Sequence, residues 1–300
     1  VFRIPGKTFL VGEYSALVGG EALGLATRPY FQLSQAAAGS EFIVYHQESP
    51  AGLFAEKNNF KFNFEVKNPY QVGGFGQSTA EFIFSWFERN KENDQVSKLE
   101  KPERIQNIFN DYLGLFDSAE LKNKKPSGAD LVTQLLGHVT HFNPEVYKSK
   151  SVTWPFSDLS FFVVSTGLKI KTHEHLDTLN RDVLNQLPEY GHKVIQAFVD
   201  GNQNLFISQL IAWSTKLEQM SLQHSDVLKF KDKLLKYNEI ICIKPCGALG
   251  ADVCLVFCER QVREDVKQIL ITEKVTVQAN EESLCSGVLE QWGSQLKDLI

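Results

Sequence analysis

The sequence predicts an α+β protein built as two halves, and three observations carry that expectation. Phe60, Phe62, Phe64 and Val66 alternate with other residues at the period of two of a half-buried strand. The run Val72-Gly73-Gly74-Phe75-Gly76-Gln77-Ser78-Thr79-Ala80-Glu81 stands directly before an apolar helical stretch, Phe82, Ile83, Phe84, Trp86 and Phe87. In the second half a strand, several helices, two strands, a helix and a strand follow one another, the order of a ferredoxin-type sandwich. A composition shift between Asn143 and Pro155 divides the chain into residues 1–150 and 151–300, each of ordinary domain size.

Taken in order, Phe9 to Val11 form a short strand bounded by glycines, with Lys7 and Glu13 on either side. Gly6-Lys7-Thr8 imitates the end of a P-loop, but the first glycine of that motif would fall on Val1, so that reading fails. Glu41 to His46 and Phe60 to Val66 read as strands, with Ser49 to Asn59 as loop between them. Glu88 to Glu103 mixes charge signs without apolar periodicity and reads as a surface connection. Ile105, Ile108, Phe109, Tyr112 and Phe116 share one helical face. Leu159 to Thr166 is a continuous apolar strand, followed by helices over His173–Leu187, Tyr190–Asp200, Leu205–Met220 and Ser225–Tyr237. Strands Ile240–Lys244 and Val253–Phe257, a helix near Glu259–Leu270 and a strand Thr272–Gln278 close the chain.

Composition narrows the function. Of 300 residues, 43% are hydrophobic and 22% charged, enough for a buried core. A net charge of -5 supplies no broad basic field, so nucleic acid is not an expected partner. No apolar run approaches the ~20 residues that span a bilayer, and Gly6, Lys7, Gly12 and Glu13 interrupt any signal-peptide layout. Cys242, Cys246, Cys254, Cys258 and Cys285 are an odd set without an export signal, which points to a reduced, cytoplasmic protein. The two C-x3-C pairs lack the usual zinc spacing and lie in apolar runs, where cysteine acts as a small hydrophobe. The pairs His138/His141 and His173/His175 have no third ligand in view and read as ordinary polar positions.

The chemistry concentrates in the glycine-rich runs. Three glycines within four positions allow left-handed backbone and close approach of a ligand. A helix start directly behind them gathers unpaired N–H groups, an anion site suited to phosphate. Ser78-x-x-Glu81 has the form of a capping box. Ser127-x-x-Asp130 repeats it with a shorter acid and places Asp130 in a first helical turn, either as a cap or as a working carboxylate. Lys7 is either a solvated lysine at a strand end or a cation beside a transferred phosphate. Lys244-Pro245-Cys246-Gly247-Ala248-Leu249-Gly250-Ala251-Asp252 holds more small residues than a hairpin requires, which suggests a second close approach.

Together these segments resemble the GHMP kinases, the superfamily of galactokinase, homoserine kinase, mevalonate kinase and phosphomevalonate kinase. Pro5-Gly6-Lys7-x4-Gly12-Glu13-Tyr14 is similar to the first motif, and Gly74 to Ala80 to the ATP-phosphate loop G-L-G-S-S-A. Pro126-Ser127-Gly128-Ala129-Asp130 is similar to P-S-G-x-D, and Lys244 to Asp252 to the third motif, K-x-x-G-A-G-G-G. The four occur in family order from residue 5 to 252. The resemblance implies a two-domain GHMP kinase fold, the first domain like ribosomal protein S5 domain 2 and the second ferredoxin-like, with ATP and acceptor in the cleft. It implies catalytic roles for Asp130 and Lys7, and nucleotide contacts from Gly73, Gly74, Gly76, Gln77, Ser78, Thr79, Gly247 and Ala248. It also implies Mg²⁺ held by Ser78 and Glu120, a small-molecule acceptor, and room for a homodimer.

Gln77 replaces a serine of the second motif, and Leu249 and Ala251 replace glycines of the third. Glu13-Tyr14 and Asp252 resemble phosphomevalonate kinases, whereas Pro126-Ser127-Gly128 and the short chain resemble mevalonate kinases. Lys122, Lys124 and Lys125 are either a solvated run or a contact for the phosphate of a phosphorylated acceptor. Thr172 and His173 are further candidates for an acceptor pocket. The expected activity is an ATP-dependent small-molecule kinase acting on mevalonate or phosphomevalonate. A silent nucleotide-binding relative and a decarboxylase of the diphosphomevalonate type are the alternatives.

Overall fold

The computed structural model describes residues 1–36, 45–59, 64–70, 72–93, 98–118, 120–121, 124–168 and 181–295. Its strands form two antiparallel sheets. In the first, β1 (Phe2–Val11) pairs with one edge of the long strand β2 (Ala22–Gln35). The other edge of β2 carries β3 (Phe64–Lys67) at one end and β4 (Val139–Asn143) at the other, with β5 (Lys148–Val152) outermost. The sequence reading does not anticipate β2, and Pro29 is the reason. A proline lacks the ladder N–H and argues against a central strand. The chain accommodates it by a shift in register: Pro5 faces Tyr30 and Gly6 faces Thr27, so Arg28 and Pro29 fall in a bulge.

The helices α1 (Pro50–Lys57), α2 (Gln77–Asn90), α3 (Lys101–Leu113) and α4 (Ala129–Leu136) belong to this half, and α2 and α4 both pack on β1 and β2. α1 replaces part of the expected loop Ser49–Asn59. Ser49 Oγ accepts the Gly52 N–H at 3.1 Å and Pro50 takes the first turn, the two signals that start a helix here. The strand expected over Glu41–His46 falls largely outside the described residues, and so do Phe60 and Phe62. Phe82, Ile83, Phe84, Trp86 and Phe87 of α2 are buried, each worth about 1.5–3 kcal/mol of apolar burial. That anchorage fixes where the N-terminus of α2 points.

The second sheet begins after Val152. β6 (Leu159–Ser165) lies between β8 (Val253–Glu259) and β9 (Thr276–Asn280), with β7 (Cys242–Cys246) beyond β8. Counted within this half, the order is 2-3-1-4, the antiparallel arrangement of a ferredoxin-like unit. Between β6 and β7 come α5 (Arg181–Leu184), α6 (Leu187–Val199), α7 (Gln203–Gln219) and α8 (Ser225–Leu234), and α9 (Arg263–Thr272) joins β8 to β9. β6 is buried on both faces. Phe161 and Val163 join the large core shared with the first sheet, while Phe162 and Val164 join a smaller one with Val227, Leu234, Val266 and Leu270. The chain then returns to the first sheet. Leu284 bridges Thr27, Ser286 bridges Gly137, and α10 (Val288–Gln295) packs on α4.

Candidate active site

The glycine-rich run folds as a turn that delivers the start of α2. Gly74 and Gly76 take φ of 87° and 82°, the left-handed region open to glycine. Gly76 is the N-cap residue and has no side chain, so α2 starts without a side-chain cap. The capping box expected at Ser78-x-x-Glu81 does not form, because the helix already begins at Gln77. Glu81 instead accepts the Gln77 amide at 2.8 Å, and Gln77 Oε1 accepts from Asn68 at 2.7 Å. Ser78 is exposed in the open first turn, whereas Thr79 is buried. The turn is clipped to β1, since the Lys7 N–H donates to the Phe75 carbonyl at 2.9 Å. Phe75 also stacks on Tyr70, with ring centroids 3.9 Å apart.

The start of α4 is built the same way. Gly128 is its N-cap at φ 78°, and no side chain caps it. Ser127 Oγ accepts the N–H of Ala129 at 3.3 Å rather than closing a capping box with Asp130. Asp130 falls in the first turn, as expected. Its Oδ2 lies 2.8 Å from Lys7 Nζ, with the lysine side chain 8% exposed and the aspartate 34%. A Cβ added to Gly76 would come within 3.3 Å of Lys7 Cγ and Cε and 3.2 Å of Gln134 Nε2. Lys7, Asp130 and the turn before α2 therefore meet. Gln134, which the sequence reading does not single out, joins them: it is buried and donates to the carbonyls of Pro5 at 2.9 Å and Gly76 at 3.2 Å. The available signal was a glutamine inside the apolar run Leu131–Leu136.

The second glycine-bearing segment abuts the first. A Cβ on Gly73 would lie 3.1 Å from Asp252 Oδ2, and one on Gly74 2.9 Å from Val253 Cγ2. Burial pushes the Asp252 carboxyl above its usual range, and the charge of Lys7 partly opposes that. Gly247 and Gly250 have φ of 76° and 64°, and Ala248 opens the short turn Ala248–Gly250 between them. Leu249 stands where the resemblance expects glycine, and it too is left-handed, at φ 57°, a strained conformation for a bulky residue. The Tyr14 hydroxyl holds it by accepting the Leu249 N–H at 2.7 Å. Lys244 lies 2.5 Å from Glu13 Oε1 in a sealed pair, and its ammonium also donates to the Phe9 carbonyl at 3.2 Å. Burial alone would pull Lys244 down, but Cys246 and Glu13 outweigh it and hold the ammonium above its usual value.

Other candidates stand apart. Glu120 is exposed in a turn, and among the described residues no hydrogen bond or ion pair links it to Ser78, Lys7 or Asp130. Lys125 pairs with Asp117 at 2.7 Å and Lys124 with Glu48 at 3.9 Å. Lys122, Thr172, His173 and His175 lie outside the described residues. His141 and His192 grip the two oxygens of Glu21 at 3.0 and 2.9 Å. Cys242, Cys246, Cys254 and Cys258 are buried in β7 and β8. Among the described residues no three His, Cys, Asp or Glu side chains gather in a metal-holding group, and no helix is long and apolar enough to cross a membrane.

No protein-family model matches the chain, and no curated protein matches it in sequence. Solved structures do. Streptococcus pneumoniae phosphomevalonate kinase in complex with phosphomevalonate and AMPPNP matches with a TM-score of 0.67 at 14% identity, over 93% of this chain and 98% of that one. Methanococcus jannaschii mevalonate kinase gives 0.62 at 12%, over 93% and 96%. Lactococcus lactis galactokinase complexed with galactose gives 0.65 at 10%, over 95% and 93%. The chain has the two-domain α+β fold of the GHMP kinases.

Proposed function

We propose that the chain is an ATP-dependent kinase that transfers the γ-phosphate to a small acceptor, mevalonate or phosphomevalonate, with residues 1–150 forming the nucleotide-binding domain and 151–300 the second domain. One observation carries the proposal: the Lys7–Asp130 pair, 2.8 Å apart, stands against Gly76, the cap-free start of α2. Phosphoryl transfer needs positioning and charge neutralisation more than covalent chemistry. The open N–H groups at Gln77, Ser78 and Thr79, with glycines 73, 74 and 76 ahead of them, suit a triphosphate. Gly247 and Ala248 offer backbone on the adjoining turn. Asp130 would accept the proton of the acceptor hydroxyl, and Lys7 would steady the alkoxide as it forms.

The residues present also fit Mg²⁺, which binds proteins through one or two oxygens and the substrate phosphates. Ser78 offers an exposed hydroxyl, and Asp252 a carboxylate against Gly73. Both lie on the glycine segments, whereas among the described residues no hydrogen bond or ion pair joins Glu120 to them. When bound, the ion would neutralise charge on the phosphates. Lys124 and Lys125 already face carboxylates, so they lend no support to a phosphorylated acceptor over mevalonate.

A screen of ADP formation with Mg-ATP tests this, using mevalonate, phosphomevalonate, diphosphomevalonate, homoserine and galactose in turn. Turnover with mevalonate or phosphomevalonate is the expected result. Nucleotide binding without turnover of any acceptor would favour a silent relative, a reading that the strained Leu249 motivates, and carbon dioxide release would mark a decarboxylase.

A further inference from the structure

We propose that Gln134 is a positioning residue of this site, whose buried carboxamide locks the glycine turn and the Lys7 strand to the helix carrying Asp130. The inference rests on the kinase reading. Gln134 follows Asp130 by one helical turn, so both project from the same face of α4. It is 0% exposed and lies among the buried residues Leu131, Val132, Leu135 and Leu136. Its Nε2 has two hydrogens, and two carbonyls from separate segments receive them. Pro5 O at 2.9 Å lies two residues before Lys7, and Gly76 O at 3.2 Å belongs to the residue that starts α2.

Two further facts argue that the amide serves geometry rather than stability. Gln134 Oε1 is buried with no hydrogen-bond partner, an unfavourable state that an apolar side chain of the same length would avoid. The Gly76 carbonyl already accepts the Ala80 N–H at 3.0 Å, so it does not need the glutamine to be satisfied. What the second bond adds is the distance between the turn and the Lys7–Asp130 pair. Without it, the hydrogen bond that still joins the turn to β1 is the one from the Lys7 N–H to the Phe75 carbonyl. A displacement of an ångström between reacting groups lowers rates by about 100-fold.

The experiment compares the parent with Gln134→Met, which keeps length and removes the donor, and Gln134→Asn, which keeps the amide on a shorter arm. Three quantities are read: melting temperature, the dissociation constant of Mg-AMPPNP by calorimetry, and kcat for ADP formation with mevalonate and phosphomevalonate. For Gln134→Met the expected result is a melting temperature lowered by no more than a few degrees, kcat lowered about 100-fold, and the dissociation constant raised by no more than about tenfold. Gln134→Asn should fall between this variant and the parent. A Met variant that matches the parent in kcat and binding overturns the inference and leaves the kinase reading standing. So does a loss of activity that only tracks a lowered melting temperature in both variants. A parent that neither binds Mg-AMPPNP nor consumes ATP overturns the kinase reading, and the inference with it.

Discussion

Two lysine–carboxylate pairs brace β1, and they differ in their exposure and neighbours. Lys244 and Glu13 are sealed, with side chains 1% and 4% exposed. Lys7 is nearly as buried, but its partner Asp130 is 34% exposed. The sealed pair ties β7 of the second sheet to the end of β1 and cannot touch a substrate. The other pair has one carboxylate within reach of solvent, beside an uncapped helix start. Both pair a lysine with a carboxylate, so exposure and neighbours decide which pair is structural and which can take part in chemistry. The sequence reading sees Lys7 and Glu13 flanking one strand, whereas the fold gives each a different partner.

The contrast breaks most visibly at the sealed pair. Lys244→Met strands a buried Glu13 carboxylate, which costs about 3–5 kcal/mol and should lower the melting temperature by on the order of 10 °C. Adding Glu13→Leu should restore much of that loss, and a double variant no more stable than the single one would contradict the assignment. Gly76→Ala comes next. It forces a Cβ onto left-handed backbone beside Lys7 and Gln134, which should cost about 1–2 kcal/mol and weaken Mg-AMPPNP binding in calorimetry. Leu249→Gly works in the opposite direction. Relief of the left-handed strain slightly exceeds the entropy cost of glycine, so urea denaturation should show a gain below about 1 kcal/mol. A clear loss would mean that the leucine packing outweighs its backbone strain.

The smallest effect is a pH dependence. Burial alone would raise the Glu21 carboxyl, but the hydrogen bond from His192 and the charge of His141 hold it below its usual value. A depressed carboxylate contributes stability that is present above its unfolded pKa and is lost as pH falls through the folded one. The loss should therefore appear in melts on the acid side of about pH 4.5. Glu21→Gln should flatten that part of the profile, and an unchanged acid limb would show the cluster to be inert.

Local backbone chemistry made part of this site legible in the sequence. Gly74, Gly76 and Gly128 announce left-handed turns, and the small residues around Gly247 announce a close approach. Asp130 sits in its first turn as the spacing of Ser127 and Asp130 suggests. The misread features each involve a competing local signal or a distant partner. Ser78 and Ser127 look like caps, but the glycines before the helices take the N-cap positions. Pro29 hides the central strand of the first sheet. Gln134 gains meaning through Pro5 and Gly76, and Lys244 through Glu13, pairs that only the folded chain brings together.

The most direct test of the account sets nucleotide binding and phosphoryl transfer side by side in the parent and in Asp130→Ala, using Mg-AMPPNP calorimetry and ADP formation on the same preparations. The account predicts little change in nucleotide affinity and kcat lower by about 10²–10⁴-fold in the variant, a loss far beyond what the lowered melting temperature expected from an unpaired, buried Lys7 explains. An Asp130→Ala protein that transfers phosphate at the parent rate would contradict it.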